Sequence, residues 1–231
     1  GGVVEPRCER RQQDCDCARG AVEPLVELLS TRDTEGRTQA AGALCALASN
    51  ADNKITVARD GDVEPLVELL RTGDAAGKIK AAGALCSLAG STDNKIVIAR
   101  AGAVEPLVQL LRAGDSAGKT QAAGALTSLA GDANIKIDIA RAGALEPLVQ
   151  LLRTGDAAGK TQAAGAVWNL AGNADNKIAI ARAGALDPLV QLLITGDVAG
   201  KNKAAGALWN LAVNADNKIA IAREELWSRW W

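Results

Sequence analysis

A chain of 231 residues with 26 Lys and Arg against 27 Asp and Glu carries a formal net charge of −1, so it has no overall field to gather nucleic acid or an acidic membrane surface. It contains no His, Tyr, Phe or Met; the missing His removes the side chain best suited to proton transfer near neutral pH and the commonest nitrogen ligand for metals. No apolar run reaches the roughly 18–20 residues a membrane span needs.

The opening segment, GGVVEPRCERRQQDCDCAR at 1–19, lacks the charged-then-apolar start of a secretory signal. Its three thiols are irregularly spaced and have no His beside them, which is no metal framework. With Met absent throughout, the chain is expected to be a piece of something longer. From Gly20 a period of 41 residues takes over, marked by Pro24, Pro65, Pro106, Pro147 and Pro188. Around each proline stands one phrase: GAVEPLVELL at 20–29, GDVEPLVELL at 61–70, GAVEPLVQLL at 102–111, GALEPLVQLL at 143–152 and GALDPLVQLL at 184–193. A second phrase follows, from AAGALCALA at 40–48 to AAGAVWNLA at 163–171 and AAGALWNLA at 204–212. A third, KIxIAR in form, closes each unit.

The unit 94–133 shows the local logic. Residues 94–102 read as a short helix capped by Asp93 or Asn94 and ended by Gly102, with Ile96 and Ala99 or Arg100 at helical spacing. Residues 103–114 read as a second helix. Pro106 lies in its first turn, where a missing N–H costs little, and Leu107, Leu110 and Leu111 form an inward stripe. Asp115 caps a third helix over 115–131, whose buried stripe is Ala122, Ala125, Leu126 and Leu129. Gly124 there needs a packing reason to offset a propensity cost of about 1 kcal/mol. A period near 40 means stacked units, none of which can bury its apolar face alone. The predicted fold is all-α, a right-handed α-solenoid of three-helix repeats. It comprises a partial unit at 20–50, units at about 52–91, 93–132, 134–173 and 175–214, and a lone first helix at 216–223.

The segments 1–19 and 224–231 (EELWSRWW) break the pattern. Codons can be chosen for the first that, shifted by one base, spell AAWWNLAANADNKIAIAR, close to residues 165–182. For the tail, a two-base shift spells GAVEPLV, as at 102–108. Both ends therefore read as out-of-frame translations of further repeats, the alternative being genuine appendages.

These phrases, over about 20–223, resemble the armadillo repeat, in wording nearest to vacuolar-armadillo-like and plant U-box-associated arrays. The resemblance implies that third helices line a concave groove, in which an Asn bonds the backbone of an extended peptide and a Trp one turn earlier walls a side-chain pocket. The Asn position matches Asn169 and Asn210; Ala46, Ser87 and Ser128 hold it elsewhere. The Trp position is Gly42, Gly83, Gly124, Gly165 and Gly206, so that wall is missing. Trp168 and Trp209 stand one residue before the Asn, where Cys45, Cys86 and Thr127 stand in earlier units.

The candidate partner-binding residues are Trp168, Asn169, Trp209, Asn210, Gln162, Lys203, Gln121, Ser128, Lys80 and Ser87. Against that, the two Trp side chains could pack between units, and the polar row could be a solvated face. Two charged rows recur. Asp33, Asp74, Asp115, Asp156 and Asp197 read as helix caps. Arg37, Lys78, Lys119, Lys160 and Lys201 read as solvated helix surface or as a positive stripe on the groove rim. Cys45 and Cys86 read as small apolar fillers in a reducing compartment.

No Ser–His, Cys–His, phosphate-loop or metal signature appears, so neither catalysis nor a cofactor is expected. The expected role is a protein-interaction scaffold binding a partner protein or peptide, without nucleic acid or a membrane span. The alternatives are the partner-recognition fragment of a U-box-type ubiquitin ligase and a nuclear-import-like adaptor. The expected location is the cytoplasm, with the nucleus a second compartment. Uncapped array ends predict self-association.

Overall fold

The structure, a computed structural model, describes residues 20–50, 53, 54, 58 and 63–227, and every regular element among them is an α-helix. The chain divides into two compact units, Gly1–Ala103 and Val104–Trp231. The first holds α1 (20–29), α2 (Thr34–Leu47), α3 (Val63–Thr72), α4 (Ala75–Leu88) and α5 (Thr92–Arg100); residues 53, 54 and 58 are helical too. The second holds α6 (Val104–Ala113), α7 (Ser116–Leu129), α8 (Ile135–Arg141), α9 (Leu145–Thr154), α10 (Ala157–Leu170), α11 (Ala174–Arg182), α12 (Leu186–Thr195), α13 (Val198–Ala212) and α14 (Ala215–Trp227). Short, middle and long helices alternate with the sequence period, which is the build of an all-α solenoid. Helix α14 runs on to Trp227, so residues 224–227, set apart on sequence, continue it. Residues 1–19 and 228–231 lie outside the described residues, and with them the thiol cluster and most of the two segments read as frame-shifted.

The middle helices are amphipathic. In α9, Leu145, Leu148, Val149, Leu151 and Leu152 are buried and the opposite face is polar. Burying each such side chain contributes roughly 1.5–3 kcal/mol. Helix α6 starts at Val104, which puts Pro106 among the first-turn positions that have no intrahelical acceptor.

The long helices differ. Helix α7 packs against both α6 and α10, and Ala122, Ala123, Gly124, Ala125, Leu126 and Leu129 are all buried. The expected stripe is thus widened to most of the circumference. Small side chains are what allow helices to approach on several sides at once. Asp74, Asp115, Asp156 and Asp197 cap α4, α7, α10 and α13, each accepting at 2.7 Å from the N–H three residues on. Asp33 accepts from Glu35 N–H at 3.2 Å.

The short helices correct the sequence reading. Helix α5 begins at Thr92 behind Ser91, so neither Asp93 nor Asn94 is its cap. Asn94 lies inside and is buried, and Ile98 rather than Ile96 faces inward; Ile96 is 38% exposed. The reason is a polar cross-link. Asn94 Nδ2 donates to Leu88 O at 3.1 Å and to Lys54 O, one repeat earlier, at 2.9 Å. Asn176 bridges Leu170 O and Lys136 O in the same way, and Asn217 bridges Leu211 O and Lys177 O. At the equivalent place in α8 stands Ile135, also buried. Ahead of that helix, Asp132 Oδ1 accepts from Asn134 and Ile135 N–H.

A second cross-link runs from α3, α6 and α9 to the next turn. Gly143 and Gly184 turn the chain with φ of 77° and 78°, a conformation glycine adopts without strain. Arg112 Nη2 donates to Gly143 O at 2.9 Å, and Arg153 Nη2 to Gly184 O at 2.8 Å. Arg71 reaches Gly102 O in the first unit at 3.4 Å. In α12 this place belongs to Ile194, which is 52% exposed.

Candidate functional site

Long helices lie side by side, α7 on α10 and α10 on α13 in the second unit, α2 on α4 in the first. Residues at one point of the repeat therefore form rows across neighbouring helices, and the candidate residues fall on them.

Trp168 lies over Gly206 of the next repeat. A Cβ on Gly206 would come within 2.7 Å of the indole ring, so only glycine leaves room for it. From the same helix, Lys203 places its ammonium 5.1 Å from the ring centroid, a cation–π contact worth about 0.5–1 kcal/mol at an exposed site. The glycine that stands where the resemblance puts a wall-forming Trp is thus the bed for a Trp from the layer before. Thr127 plays the same part on Gly165, with its methyl 3.2 Å from where a Cβ would sit. Its hydroxyl reaches Gln162 O at 3.1 Å. Trp168 is half-buried. Trp209, one repeat on, is 75% exposed.

The two Asn side chains are half-buried and already engaged. Asn169 Nδ2 donates to Thr127 O at 2.8 Å, and Asn210 Nδ2 to Trp168 O at 3.0 Å. A primary amide has two N–H donors and a carbonyl acceptor, so one such bond leaves capacity for a ligand. Two turns earlier, Gln121 and Gln162 are exposed and Lys203 half-buried; Ser128 is half-buried at the Asn position of α7. In the first unit Lys80 is exposed and its stem lies 3.7 Å from a Cβ built on Gly42. Ser87 Oγ is 3.7 Å from Cys45 Sγ. Cys45 and Cys86 form no disulfide and are half-buried, at the layer joint where Thr127 and Trp168 stand further on.

Two members of the basic row, Arg37 and Lys160, meet neighbouring elements. Arg37 Nη2 donates to Thr72 Oγ1 at 3.2 Å. It shares a cleft of about 520 Å³ with Glu64, Glu68 and Arg71. In the second unit Lys160 lines a cleft of about 250 Å³ with Arg153, Asp187 and Gln191. Both lysine and arginine thus meet the middle helix of the following repeat, with acidic side chains nearby. Among the caps, the Asp156 carboxyl is held below its ordinary 3.8 by the Gly159 N–H and then by the Ser116 hydroxyl. No group of three or more Cys, Asp or Glu able to hold a metal occurs among the described residues. No single described helix is long and apolar enough to cross a membrane.

The Asn cross-links and the Arg-to-turn bonds escaped the sequence reading. Their signal was present as the same polar residue returning at one point of the repeat: Asn94, Asn176 and Asn217, and Arg71, Arg112 and Arg153.

The profile of the armadillo/beta-catenin-like repeat matches residues 19–49, 91–131, 132–172 and 173–213. No protein with a curated description matches the chain. Similar solved structures include an engineered protein, 36% identical with a TM-score of 0.83 over 88% of this chain and 86% of that one. A designed armadillo repeat protein is 27% identical, with a TM-score of 0.81 over 87% of each chain. Another designed armadillo repeat protein, solved in complex with the peptide (KR)4, is 29% identical, with a TM-score of 0.78 over 88% of this chain and 86% of that one.

Proposed function

The chain belongs to the armadillo/beta-catenin-like repeat family, and we propose that it is a non-enzymatic scaffold that holds an extended segment of a partner protein across the ridge of α7, α10 and α13. The observation that carries this reading is the likeness to a designed armadillo protein in complex with a peptide. The residues agree with it. Gln121, Ser128, Gln162, Asn169, Lys203 and Asn210 present amide, hydroxyl and ammonium groups on three successive helices. Packed helices lie about 8–10 Å apart and a strand advances about 3.3 Å per residue, so each repeat addresses two or three residues of a bound strand. Unpaired backbone groups of such a strand need donors and acceptors, and a row of amides supplies both.

That Cys45 and Cys86 form no disulfide agrees with a reducing compartment, and the cytoplasm is the location we propose. Neither alternative role gains a specific observation. The import-adaptor reading calls for an aromatic ladder where this chain has glycines, and Gly165 and Gly206 are covered by Thr127 and Trp168.

The test is selection from a displayed library of random extended peptides, followed by fluorescence anisotropy. Gln121→Ala/Gln162→Ala removes two exposed side chains and leaves the fold intact by circular dichroism. The selected peptides should lose at least about tenfold in affinity for it, a difference of 1.4 kcal/mol. Enrichment no better than on an unfolded control, or equal binding to the variant, would refute the proposal.

A further inference from the structure

The joint between α10 and α13 is reproduced, unfilled, at the last repeat. Trp168 beds on Gly206; Trp209 is the same residue one repeat later and is 75% exposed. Ile194 holds the place from which Arg112 and Arg153 reach the next turn glycine, and it is 52% exposed. Val213 and Ile219 are exposed too, at 69% and 55%. Position 225, where the turn glycine recurs, is Glu225.

The first repeat carries the opposite half of the joint. Gly42 is the counterpart of Gly206, and it is half-buried where Gly206 is buried. Among the described residues the only side chain near its missing Cβ is the Lys80 stem, from the following repeat. Gly20 is the counterpart of Gly184, and no described atom lies within 4 Å of a Cβ built there. Asn53 is the counterpart of Asn94 and donates to Leu47 O at 3.2 Å. Its counterparts send a second bond to a lysine carbonyl of the preceding repeat.

We infer that the last repeat docks on the first repeat of a second copy of this chain, head to tail, in the register of the internal joints. Trp209 lies on Gly42 of the second copy, Ile194 meets Gly20 of the second copy, and the Lys218 carbonyl accepts from Asn53 of the second copy. The interface is heterologous, since two different faces meet. It is also weaker than an internal joint. The second copy offers Gln39 where Lys203 caps Trp168, and Ala46 where Asn210 bonds the Trp168 carbonyl. Reversible, concentration-dependent association follows.

Sedimentation velocity on the 231-residue chain, across a concentration series up to about 100 μM (the micromolar range in which weak interfaces fill), tests this. The wild type is expected to associate reversibly. Trp209→Lys alters a surface residue and Gly42→Leu places its side chain in ordinary contact with Lys80; both are expected to fold by circular dichroism and each to weaken association at least about tenfold. A mixture of the two variants pairs an intact Gly42 face with an intact Trp209 face, and it should recover dimers while each variant alone stays monomeric. A wild type that is monomeric throughout overturns the inference. So does association untouched by either substitution. Loss with Trp209→Lys but not with Gly42→Leu means that two C-terminal faces meet, and it overturns the register.

Discussion

At the scale of single residues, a few polar groups tie one repeat to the next. Asn176 is 5% exposed and its amide serves two helix carbonyls, at Leu170 and Lys136. Removing it costs both bonds, together about 1–3 kcal/mol at a net 0.5–1.5 kcal/mol each, while Leu170 O keeps the Asn173 N–H. Asn176→Ala should lower the unfolding free energy of the second unit by that amount in urea titration, whereas Asp175→Ala, exposed beside it, should change little. Asp156 gives a pH signature. Its carboxylate accepts from Gly159 N–H and the Ser116 hydroxyl, which hold its pKa below 3.8. A folded-state value below the unfolded one means that protons bind the unfolded chain better. The contribution is fully present above the unfolded value and is lost as pH falls through the folded one. An NMR titration of the Asp156 carboxyl should therefore show a midpoint below 3.8, and Ser116→Ala should move it upward. A midpoint unchanged by Ser116→Ala would remove that hydroxyl from the account.

At the scale of elements, the middle helices and the Asp caps were legible because their signals are local: an i, i+3, i+4 apolar stripe, a proline in the first turn, an Asp before the long helix. The short helices were misread for a physical reason. Asn is a common cap, yet Asn94 sits inside α5 because its amide has carbonyls to serve in two other elements, and no local pattern reveals them. The Trp168–Gly206 pair was equally hidden. A glycine in a long helix reads as a cost, and only the neighbouring layer shows that the ring needs the space. That pairing predicts non-additivity. Gly206→Ala alone forces the ring from a Cβ 2.7 Å away and should destabilise by about 1–3 kcal/mol, as overpacking does. In a Trp168→Ala background the same change should be neutral or stabilising, because Ala exceeds Gly in helix propensity by up to about 1 kcal/mol. A double-mutant cycle in urea reads the difference directly. Additive effects would mean that the ring does not bear on Gly206 in solution.

At the scale of the whole molecule, the second unit is built layer on layer: α10 makes its main contacts with α9, its own middle helix, and with α7 and α13, the long helices before and after it. Stability in such an array approximates a sum of repeat terms and nearest-neighbour joints, and opening can begin at one layer without the rest. The second unit is where this can be measured, since one joint in it has a single large reporter. Trp168→Ala removes the ring from Gly206 and the partner from Lys203, and so weakens the joint between α10 and α13. Amide exchange in α12, α13 and α14 should then rise by about tenfold for each 1.4 kcal/mol lost, read by mass spectrometry on peptides covering 186–227. Peptides from α6 and α7, over 104–129, have another joint between them and the lesion and should keep their protection. An equal rise along the whole of 104–227 would show that the unit opens as one block, and the layer-by-layer account of its stability would fail.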